Sequence, residues 1–237
     1  MVKERMNRVF VAALILAVFV TGCTVVERGS GKSEGLKGYW SFDEGKGSVG
    51  KNAVGENHAI VQPDLKWVDG KRGKAIQYDG ENYVVIPHDD FFNAVNFTIC
   101  AWVKLQQTYD YHYIVWKDGI QWPEEGPGRR IDIWVEMTGP VTVMWNYEDR
   151  LDGRKVVTDN KWHHIAEVCD GRSIKLYVDG TLDGQAELSG KLPLNQLPMW
   201  VGARPGGVAA KGIIDELRFY DRALPEEEIK ALAEGRI

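Results

Sequence analysis

Residues 161–180 read KWHHIAEVCDGRSIKLYVDG, and residues 212–224 read GIIDELRFYDRAL. The first stretch contains two apolar runs, and each run is followed by an Asp-Gly pair, at 170–171 and at 179–180. Asp-Gly next to alternating apolar runs is a strong local signal for tight turns between antiparallel strands. The first stretch therefore predicts a β-meander, and the second predicts one more strand close to the C-terminus.

Short apolar runs separated by turn residues also fill the chain upstream of these stretches. This pattern predicts strands at residues 38–43, 58–62, 75–78, 83–87, 97–105, 111–117, 130–137, 141–146, 162–169, 173–178, 181–187, 200–203 and 213–220. In 97–105 both alternating sets of side chains are largely apolar or neutral, which is typical of a strand that is covered on both sides. We predict an all-β protein made of two stacked antiparallel sheets.

The last element has a different pattern. Residues 225–235, PEEEIKALAEG, place a proline in the first turn, three acids at the positive end of a helix and a glycine as its stop. Ile229, Leu232 and Ala233 share one face at helical spacing. A short C-terminal helix that packs onto the sandwich is therefore expected.

Composition sets limits on size and on partners. A chain of 237 residues is long enough for one substantial core, and we expect a single folded domain. The net charge of −5 and the lack of a basic stripe argue against a nucleic-acid partner. The 9 Trp and 9 Tyr residues fit an all-β protein with large packed rings.

The N-terminus has the pattern of a targeting segment. Three basic residues and one acid precede an apolar run of twelve residues at 9–20, which is too short to span a bilayer comfortably. The run ends in Val20-Thr-Gly-Cys23, which resembles a bacterial lipobox. We predict a lipoprotein signal peptide at 1–22 and an acylated Cys23 that anchors the protein to a lipid bilayer. The alternative is an ordinary signal peptide with an incidental cysteine.

Residues 24–35 are polar and rich in Gly and Ser, so residues 23–35 are expected to form a flexible tether from the lipidated cysteine. The folded domain is then predicted to occupy residues 36–237. This organisation places the protein in the cell envelope, either in the periplasm or on an outer-membrane or extracellular face.

Several motifs in order, WHHIAEVCDG, IKLYVDG and IDELRFYDRALPEEEI, resemble the concanavalin A-like, laminin-G-type jelly-roll domains that are common in bacterial exported proteins. The resemblance covers residues 36–235. It implies a jelly-roll sandwich with a short C-terminal helix. These motifs are specific for the fold, and one fold hosts many functions.

Two cysteines, Cys100 and Cys169, remain after the predicted signal peptide. Disulfides persist in exported proteins, so a bridge between these residues and a pair of free thiols are both open. In pentraxins, distant relatives of this fold, a strand similar to 97–100 is bridged to a strand similar to 164–166. That resemblance puts the partner of Cys100 near Ala166, and an offset of three residues along a strand turns Cys169 to the opposite face.

Residues 130–136, RIDIWVE, are superficially similar to the strand of some glucanases of this broad fold that carries two carboxylates in the pattern Glu-Ile-Asp-Ile-x-Glu. Here Arg130 stands at the position of the nucleophile, and Glu136 lies one residue too far along. Asp132 and Glu136 would be about 13 Å apart on an extended strand, whereas a retaining mechanism needs ~5–5.5 Å. We therefore expect the protein not to be an enzyme.

The same strand is a candidate for carbohydrate binding. If residues 131, 133 and 135 face the core, then Arg130, Asp132, Trp134 and Glu136 face outwards. The preceding strand and loop add Trp116, Asp118 and Trp122. Charged groups beside rings that can stack on a sugar suit a carbohydrate site. The alternative is a solvated strand face with a partly buried tryptophan.

The resemblance also implies a structural calcium ion between the first strand and the last strands. The matching positions are Asp43, the loop at 52–58 that contains Asn57, and Asp215. Ca²⁺ takes six to eight oxygen ligands, which carboxylates, amides and carbonyls can supply. The alternative is that both aspartates cap turns by accepting backbone hydrogen bonds. No Cys and His spacing supports zinc.

Together these patterns predict a non-catalytic, envelope-anchored recognition module for a glycan or glycoprotein. The first alternative is a structural or protein-interaction module of the cell envelope. The second is a polysaccharide-degrading hydrolase of the same fold.

Overall fold

The computed structural model describes residues 34–117, 131–146, 149–204 and 206–237. In chain order, the strands are β1 (Leu36–Trp40), β2 (Val49–Gly50), β3 (Ala59–Val61), β4 (Lys66–Asp69), β5 (Lys74–Asp79), β6 (Val84–Ile86), β7 (Phe97–Leu105), β8 (His112–Lys117), β9 (Ile131–Val135), β10 (Pro140–Met144), β11 (Arg150–Val156), β12 (Trp162–Cys169), β13 (Ser173–Val178), β14 (Thr181–Glu187), β15 (Met199–Val201) and β16 (Lys211–Tyr220). A 3-10 helix covers Asp90–Asn93, and helix α1 covers Glu226–Ala233.

Within the described ranges, the strands form two antiparallel sheets of eight strands each. Sheet A has the order β14-β13-β12-β7-β16-β5-β4, and β1 also pairs with β16. Sheet B has the order β11-β10-β9-β8-β15-β6-β3-β2. The predicted all-β sandwich, the meander β12–β13–β14 and the C-terminal helix are confirmed.

Strand β7 shows how both sides of sheet A are filled. Phe97, Ile99 and Val103 are fully buried between the two sheets. Cys100, on the opposite face of β7, belongs to a second apolar cluster that includes Ile229 and Leu232 of α1. Burial of each large apolar side chain stabilises the fold by about 1.5–3 kcal/mol. Among the described residues, no helix has the length and hydrophobicity needed to cross a membrane.

Three observed strands, β2, β4 and β11, were not expected from the sequence pattern. Each of them lies at the edge of a sheet. Most residues of β11 are exposed, and β4 begins with Lys66 and ends with Asp69. Edge strands carry charges that discourage pairing with other chains, so they lack the alternating apolar pattern of interior strands.

Cys100 and Cys169 are both buried, and the structure has no disulfide between them, as in the second of the two predicted alternatives. Cys100 lies opposite Ala166 in the β7–β12 pairing, and Cys169 lies opposite Phe97. Cys169 faces the core between the sheets, whereas Cys100 faces the helix side. Because residues three apart on a strand point to opposite faces, the two sulfurs do not meet.

The turn after β13 is held by a histidine placed between two carboxylates. His163 Nδ1 lies 2.8 Å from Asp179 Oδ2, and His163 Nε2 lies 3.0 Å from Asp159 Oδ1. Asp179 has a left-handed backbone with φ of 51° and also accepts a hydrogen bond from the backbone N–H of His164 at 2.8 Å. The hydrogen bond to Asp179 raises the pKa of His163 above its ordinary value, burial opposes this, and Asp159 adds to the rise.

We predict that this cluster makes the stability of the fold depend on pH. The pKa of His163 is raised on folding, so its stabilisation is fully present below about pH 6.5 and is lost as the pH rises through the folded-state pKa. His163→Gln should lower the free energy of unfolding by about 1–3 kcal/mol at about pH 6, and by less at about pH 9. Urea unfolding of both proteins at the two pH values measures this difference.

The control for this experiment is His58→Gln. His58 Nδ1 accepts the backbone N–H of Asn52 at 3.1 Å, and the ring lies 3.9 Å from the exposed Glu56, so His58→Gln removes a histidine hydrogen bond without touching the His163 cluster and should leave the pH dependence of the wild type in place. If His163→Gln unfolds with the same pH dependence as the wild type, His163 does not carry the effect.

Candidate functional site

The candidate site lies on the face of sheet B that is turned away from the core. Ile131, Ile133 and Val135 of β9 belong to the core between the sheets. Because successive residues of a strand point to opposite faces, Asp132 and Trp134 lie on the outer face. This is the alternation that the sequence pattern predicted for this strand.

Strand pairing extends this outer face into two rows of neighbouring side chains. The pairing register connects one row across all eight strands of sheet B: Val49, Ile60, Val85, Trp200, Trp116, Asp132, Met144 and Arg150. A second, shorter row consists of Tyr113, Trp134, Thr142 and Asp152. We call the two rows together the outer face of sheet B.

Aromatic rings occupy the middle of this outer face. The Tyr113 ring lies 5.4 Å from Trp116, nearly perpendicular to it, and 6.2 Å from Trp134. The Arg204 guanidinium lies 4.9 Å from the centre of the Trp116 ring. Trp116 and Trp134 are only 1% and 6% exposed, whereas Tyr113 and Trp200 are partly exposed. Among these four rings, Tyr113 and Trp200 are therefore the ones that a ligand can contact.

Hydrogen bonds tie the polar side chains of the second row together. The indole N–H of Trp134 donates to Glu136 Oε1 at 2.9 Å. The Thr142 hydroxyl lies 3.3 Å from the same Glu136 oxygen and 2.9 Å from Asp152 Oδ1. Asp152 Oδ2 is paired with Arg150 at 3.1 Å. The carboxylates of Glu136 and Asp152 are thus close neighbours on either side of one hydroxyl.

The structure brings four of the predicted ligand-binding residues onto one face: Trp116, Asp132, Trp134 and Glu136. The burial of three of them differs from the prediction, since Asp132 is fully buried and Trp116 and Trp134 are nearly so. Asp132 Oδ1 accepts a hydrogen bond from the backbone N–H of Lys117 at 3.3 Å, so this carboxylate supports the strand pair.

The other predicted ligand-binding residues, Asp118, Trp122 and Arg130, lie outside the described residues. The predicted lipidation site Cys23 and the signal peptide at 1–22 also lie outside them.

The sequence pattern did not identify four members of the outer face, Tyr113, Thr142, Asp152 and Trp200, or Arg204, which lies over the Trp116 ring. Trp200 begins a predicted strand, but its place beside Trp116 follows from the pairing of β15 with β8, which are far apart in sequence. Asp152 belongs to the edge strand β11, which has no strong apolar alternation. Alternation within a strand identifies its outward side chains, but it does not identify which strands are neighbours.

Two of the predicted calcium ligands lie against the same β-turn. Asp43 Oδ1 accepts a hydrogen bond from the backbone N–H of Lys74 at 2.7 Å, and Asp215 Oδ2 accepts one from Arg72 at 3.1 Å. Burial raises the pKa of Asp215 to about 7, and backbone N–H donors act in the opposite direction. Asn57 is engaged elsewhere, because its side-chain amide donates to the carbonyl of Pro87 at 2.9 Å.

These contacts bear on whether the three residues fit a calcium ion. The aspartate oxygens accept N–H groups, as in the predicted turn-capping alternative, and the side-chain amide of Asn57 donates to Pro87 instead. In the part of the chain that the structure describes, no three His, Cys, Asp or Glu side chains are grouped to hold a metal ion. Asp43 and Asp215 therefore hold the turn in this structure, and calcium binding stays a prediction of the resemblance.

Comparisons with solved structures show the fold. Trypanosoma rangeli sialidase in complex with 2,3-difluorosialic acid is similar over 85% of this chain and 33% of its own, with 18% identity and a TM-score of 0.68. The chain therefore spans about a third of the length of that sialidase. The binding domain of Paraclostridial Mosquitocidal Protein 1 is similar over 86% of this chain and 53% of its own, with 18% identity and a TM-score of 0.67.

A third solved structure matches over nearly its whole length. Domain 4 of AbnA, a GH43 extracellular arabinanase from Geobacillus stearothermophilus, was solved in complex with arabinotriose. It is similar over 84% of this chain and 98% of its own, with 20% identity and a TM-score of 0.65. A comparison with curated proteins gives no significant match.

The sequence itself matches a family model. The model is Laminin_G_3, described as concanavalin A-like lectin/glucanases superfamily, and it matches residues 78–230, which hold most strands of both sheets. The resemblance seen in the motifs of the meander and of the last strand is thereby confirmed. The chain belongs to the Laminin_G_3 family of the concanavalin A-like lectin/glucanase superfamily.

Proposed function

We propose that this protein is a non-catalytic recognition module that binds a carbohydrate, free or on a glycoprotein, on the outer face of sheet B. The observation that carries the proposal is the set of aromatic rings beside hydrogen-bonded carboxylates on this face. Rings supply the apolar contact that a sugar face needs, and carboxylates accept hydrogen bonds from sugar hydroxyls.

The internal hydrogen bonds of this face support a binding role. Glu136 holds the indole of Trp134, and the Thr142 hydroxyl lies between Glu136 and Asp152. Side chains that are fixed in this way lose little conformational freedom when a ligand arrives. Trp116 and Trp134 then serve as a buried base, and Tyr113 and Trp200 are the rings that a sugar contacts.

The AbnA domain adds support from a protein of the same fold. That domain was solved with arabinotriose and is matched over 98% of its length, so the comparison is between domains of similar extent. Arabinotriose is therefore a reasoned first probe, and a glycan array extends the search to other sugars.

Trp200→Ala and Tyr113→Ala should each weaken binding of the best array ligand by roughly tenfold, because each change removes a partly exposed ring from the outer face. Isothermal titration calorimetry measures the affinities. Both rings lie outside the apolar core between the sheets, so the variants are expected to fold.

The matched control for these two variants is Trp162→Ala. Trp162 is a partly exposed tryptophan as well, but it lies in β12 of sheet A. It should bind the ligand as the wild type does. If all three variants bind equally well, or if no glycan binds to the wild type, the proposed site is wrong.

The arrangement of the carboxylates favours binding over catalysis. Asp132 is fully buried, so it has no surface that a sugar could contact. Glu136 and Asp152 are close to each other, but Glu136 accepts the Trp134 indole N–H, and Asp152 lies 2.9 Å from the Thr142 hydroxyl and is paired with Arg150. Glycoside hydrolysis needs one carboxyl group to give up a proton and the other to attack or to activate water.

We expect no turnover when the protein is incubated with arabinan or with sialyllactose, as measured by release of reducing ends or of sialic acid. These substrates correspond to the hydrolases among the solved structures of this fold. Turnover that is lost in Glu136→Gln or Asp152→Asn would show that the protein is a hydrolase. Turnover that both variants retain would point to a contaminating enzyme.

A specific observation favours a protein-interaction module as the second candidate. The long row of the outer face ends in aliphatic side chains, with Val49 44% exposed and Ile60 54% exposed. Exposed aliphatic groups suit a protein surface better than a sugar. A co-purified partner that is lost in Ile60→Asp, together with no binding on the glycan array, would favour this candidate.

Calcium remains a prediction of the sequence resemblance. A calcium ion bound by Asp43 and Asp215 should raise the melting temperature in CaCl₂, and Asp215→Asn should abolish this rise, because the ion binds only the folded state. Differential scanning fluorimetry with CaCl₂ and with EDTA measures the effect. If the melting temperature of the wild type is the same in CaCl₂ and in EDTA, the two aspartates only hold the turn.

Anchoring to a lipid bilayer through Cys23 and a place in the cell envelope also remain part of the proposal. The supporting observation is the lipobox-like Val20-Thr-Gly-Cys23 after a twelve-residue apolar run. A recognition module that is held at a membrane surface by a tether would meet glycans close to the envelope.

A further inference from the structure

A groove on one flank of the sandwich is separate from the outer face of sheet B. It has a volume of about 690 Å³ and lies between the loop at 45–48 and residues 63 and 65–68. The first wall precedes β2, the edge strand of sheet B, and the second wall contains most of β4, an edge strand of sheet A. We call it the flank groove. Ligand sites in proteins usually have about 300–1,000 Å³, so its size fits a small ligand.

The opposite flank of the sandwich is closed by a side-chain contact. Asp183 of β14 accepts hydrogen bonds from the backbone N–H groups of Arg154 and Lys155 in β11, at 2.8 and 3.2 Å. This carboxylate joins the edge of sheet A to the edge of sheet B. The flank groove lies on the other side, where β4 and β2 are the edge strands.

The charged side chains that line the flank groove are both positive. Lys46 and Lys66 are exposed members of its walls, and neither forms an ion pair with any described residue. Within the described part of the chain, its lining contains no Asp or Glu. Of the nearby acids, Asp69 is paired with Lys74 at 2.7 Å, and Glu44 Oε1 accepts the backbone N–H of Lys51 at 2.8 Å, whereas Glu44 Oε2 is buried without a hydrogen bond to the residues that the structure describes. Asp64 is exposed and is not among the lining residues.

A fixed aromatic ring completes the flank groove. Trp67 of β4 is partly exposed, and its indole N–H donates to the carbonyl of Gly47 at 3.2 Å, so the ring is tied to the opposite wall. Gly47 has φ of 87°, and nothing lies within 4 Å of the position that its Cβ would occupy. The backbone of this wall is therefore open to close approach by a ligand.

We propose that the flank groove binds an anionic saccharide, a sugar with carboxylate or sulfate groups. Lys46 and Lys66 pair with the anionic groups, and the Trp67 ring contacts a sugar face. This inference goes beyond the proposed function, because it concerns a second site with a different selectivity. It also does not depend on the rings of the outer face of sheet B.

The structure favours a saccharide over an acidic peptide that would add a strand to β4. Strand β4 has four residues and begins and ends with the charges of Lys66 and Asp69, which are features that protect an edge from pairing. The bond from Trp67 to Gly47 also joins the two walls across the groove. A sugar needs only the ring and the two ammonium groups.

Isothermal titration calorimetry with trigalacturonic acid tests the carboxylate form of the ligand, and a chondroitin sulfate tetrasaccharide tests the sulfated form. The double variant Lys46→Glu/Lys66→Glu should bind whichever probe the wild type binds at least roughly tenfold more weakly, because two ion pairs are replaced by repulsion. Raising NaCl from about 50 mM to about 500 mM should weaken binding by the wild type, because salt screens exposed charges.

The control variant is Lys191→Glu/Lys230→Glu, which makes the same change in net charge at two exposed lysines away from the groove. It should bind the anionic probe as the wild type does. Loss of binding in this control as well, or no binding of either probe to the wild type, would overturn the proposal. Binding of poly-L-glutamate that competes equally with the sugar would assign the groove to an acidic protein segment and would also overturn it.

The two sites can be separated in the same set of measurements. Trp200→Ala should leave binding of the anionic probe unchanged, since Trp200 is not part of the flank groove. Lys46→Glu/Lys66→Glu should leave binding of the array ligand on the outer face unchanged if that ligand is neutral. If one site does not bind its probe, the proposal for the other site can therefore still hold.

Discussion

The constraint on which much of the structure depends is a β-bulge in β16, which lies between β7 and β5 in sheet A. The pairing of β16 with β7 shifts register between Asp215 and Arg218, and Glu216 adopts a left-handed backbone with φ of 55°. Such a conformation costs about 1–3 kcal/mol for a residue with a side chain. The bulge lets Asp215 accept the N–H of Arg72, while the buried Glu216 binds Arg218 and the Tyr39 hydroxyl, both at 2.7 Å.

These contacts hold the turn of the β4–β5 hairpin against Asp43 and against β16. Backbone N–H groups at this turn donate hydrogen bonds to Asp43 and Asp215, and the Arg72 guanidinium lies 3.7 Å from Glu216. Burial and the hydrogen bond to Glu216 raise the pKa of Tyr39 to about 12, so the Tyr39 hydroxyl keeps its proton at neutral pH. Because β4 forms one wall of the flank groove, the bulge on β16 also determines where that groove lies.

The sequence predicts interior strands well and edge strands poorly, and the reason is physical. β7, β12 and β13 are buried on at least one face, so their apolar side chains alternate or run continuously. β4 and β11 need no such pattern, because solvent reaches them. The same limit applies to the candidate site. Alternation predicted the outward side of Asp132 and Trp134, but Tyr113, Asp152 and Trp200 join them only through strand pairing.

The environment of each carboxylate on the outer face of sheet B connects the fold to the proposed function. A group that transfers a proton to a sugar must have a free oxygen directed at the ligand. Asp132 has no exposed surface and accepts the N–H of Lys117, and Glu136 Oε1 holds the Trp134 indole. These oxygens orient rings and strands instead. A face built in this way can present Tyr113 and Trp200 in fixed positions, as the proposed recognition of a sugar requires.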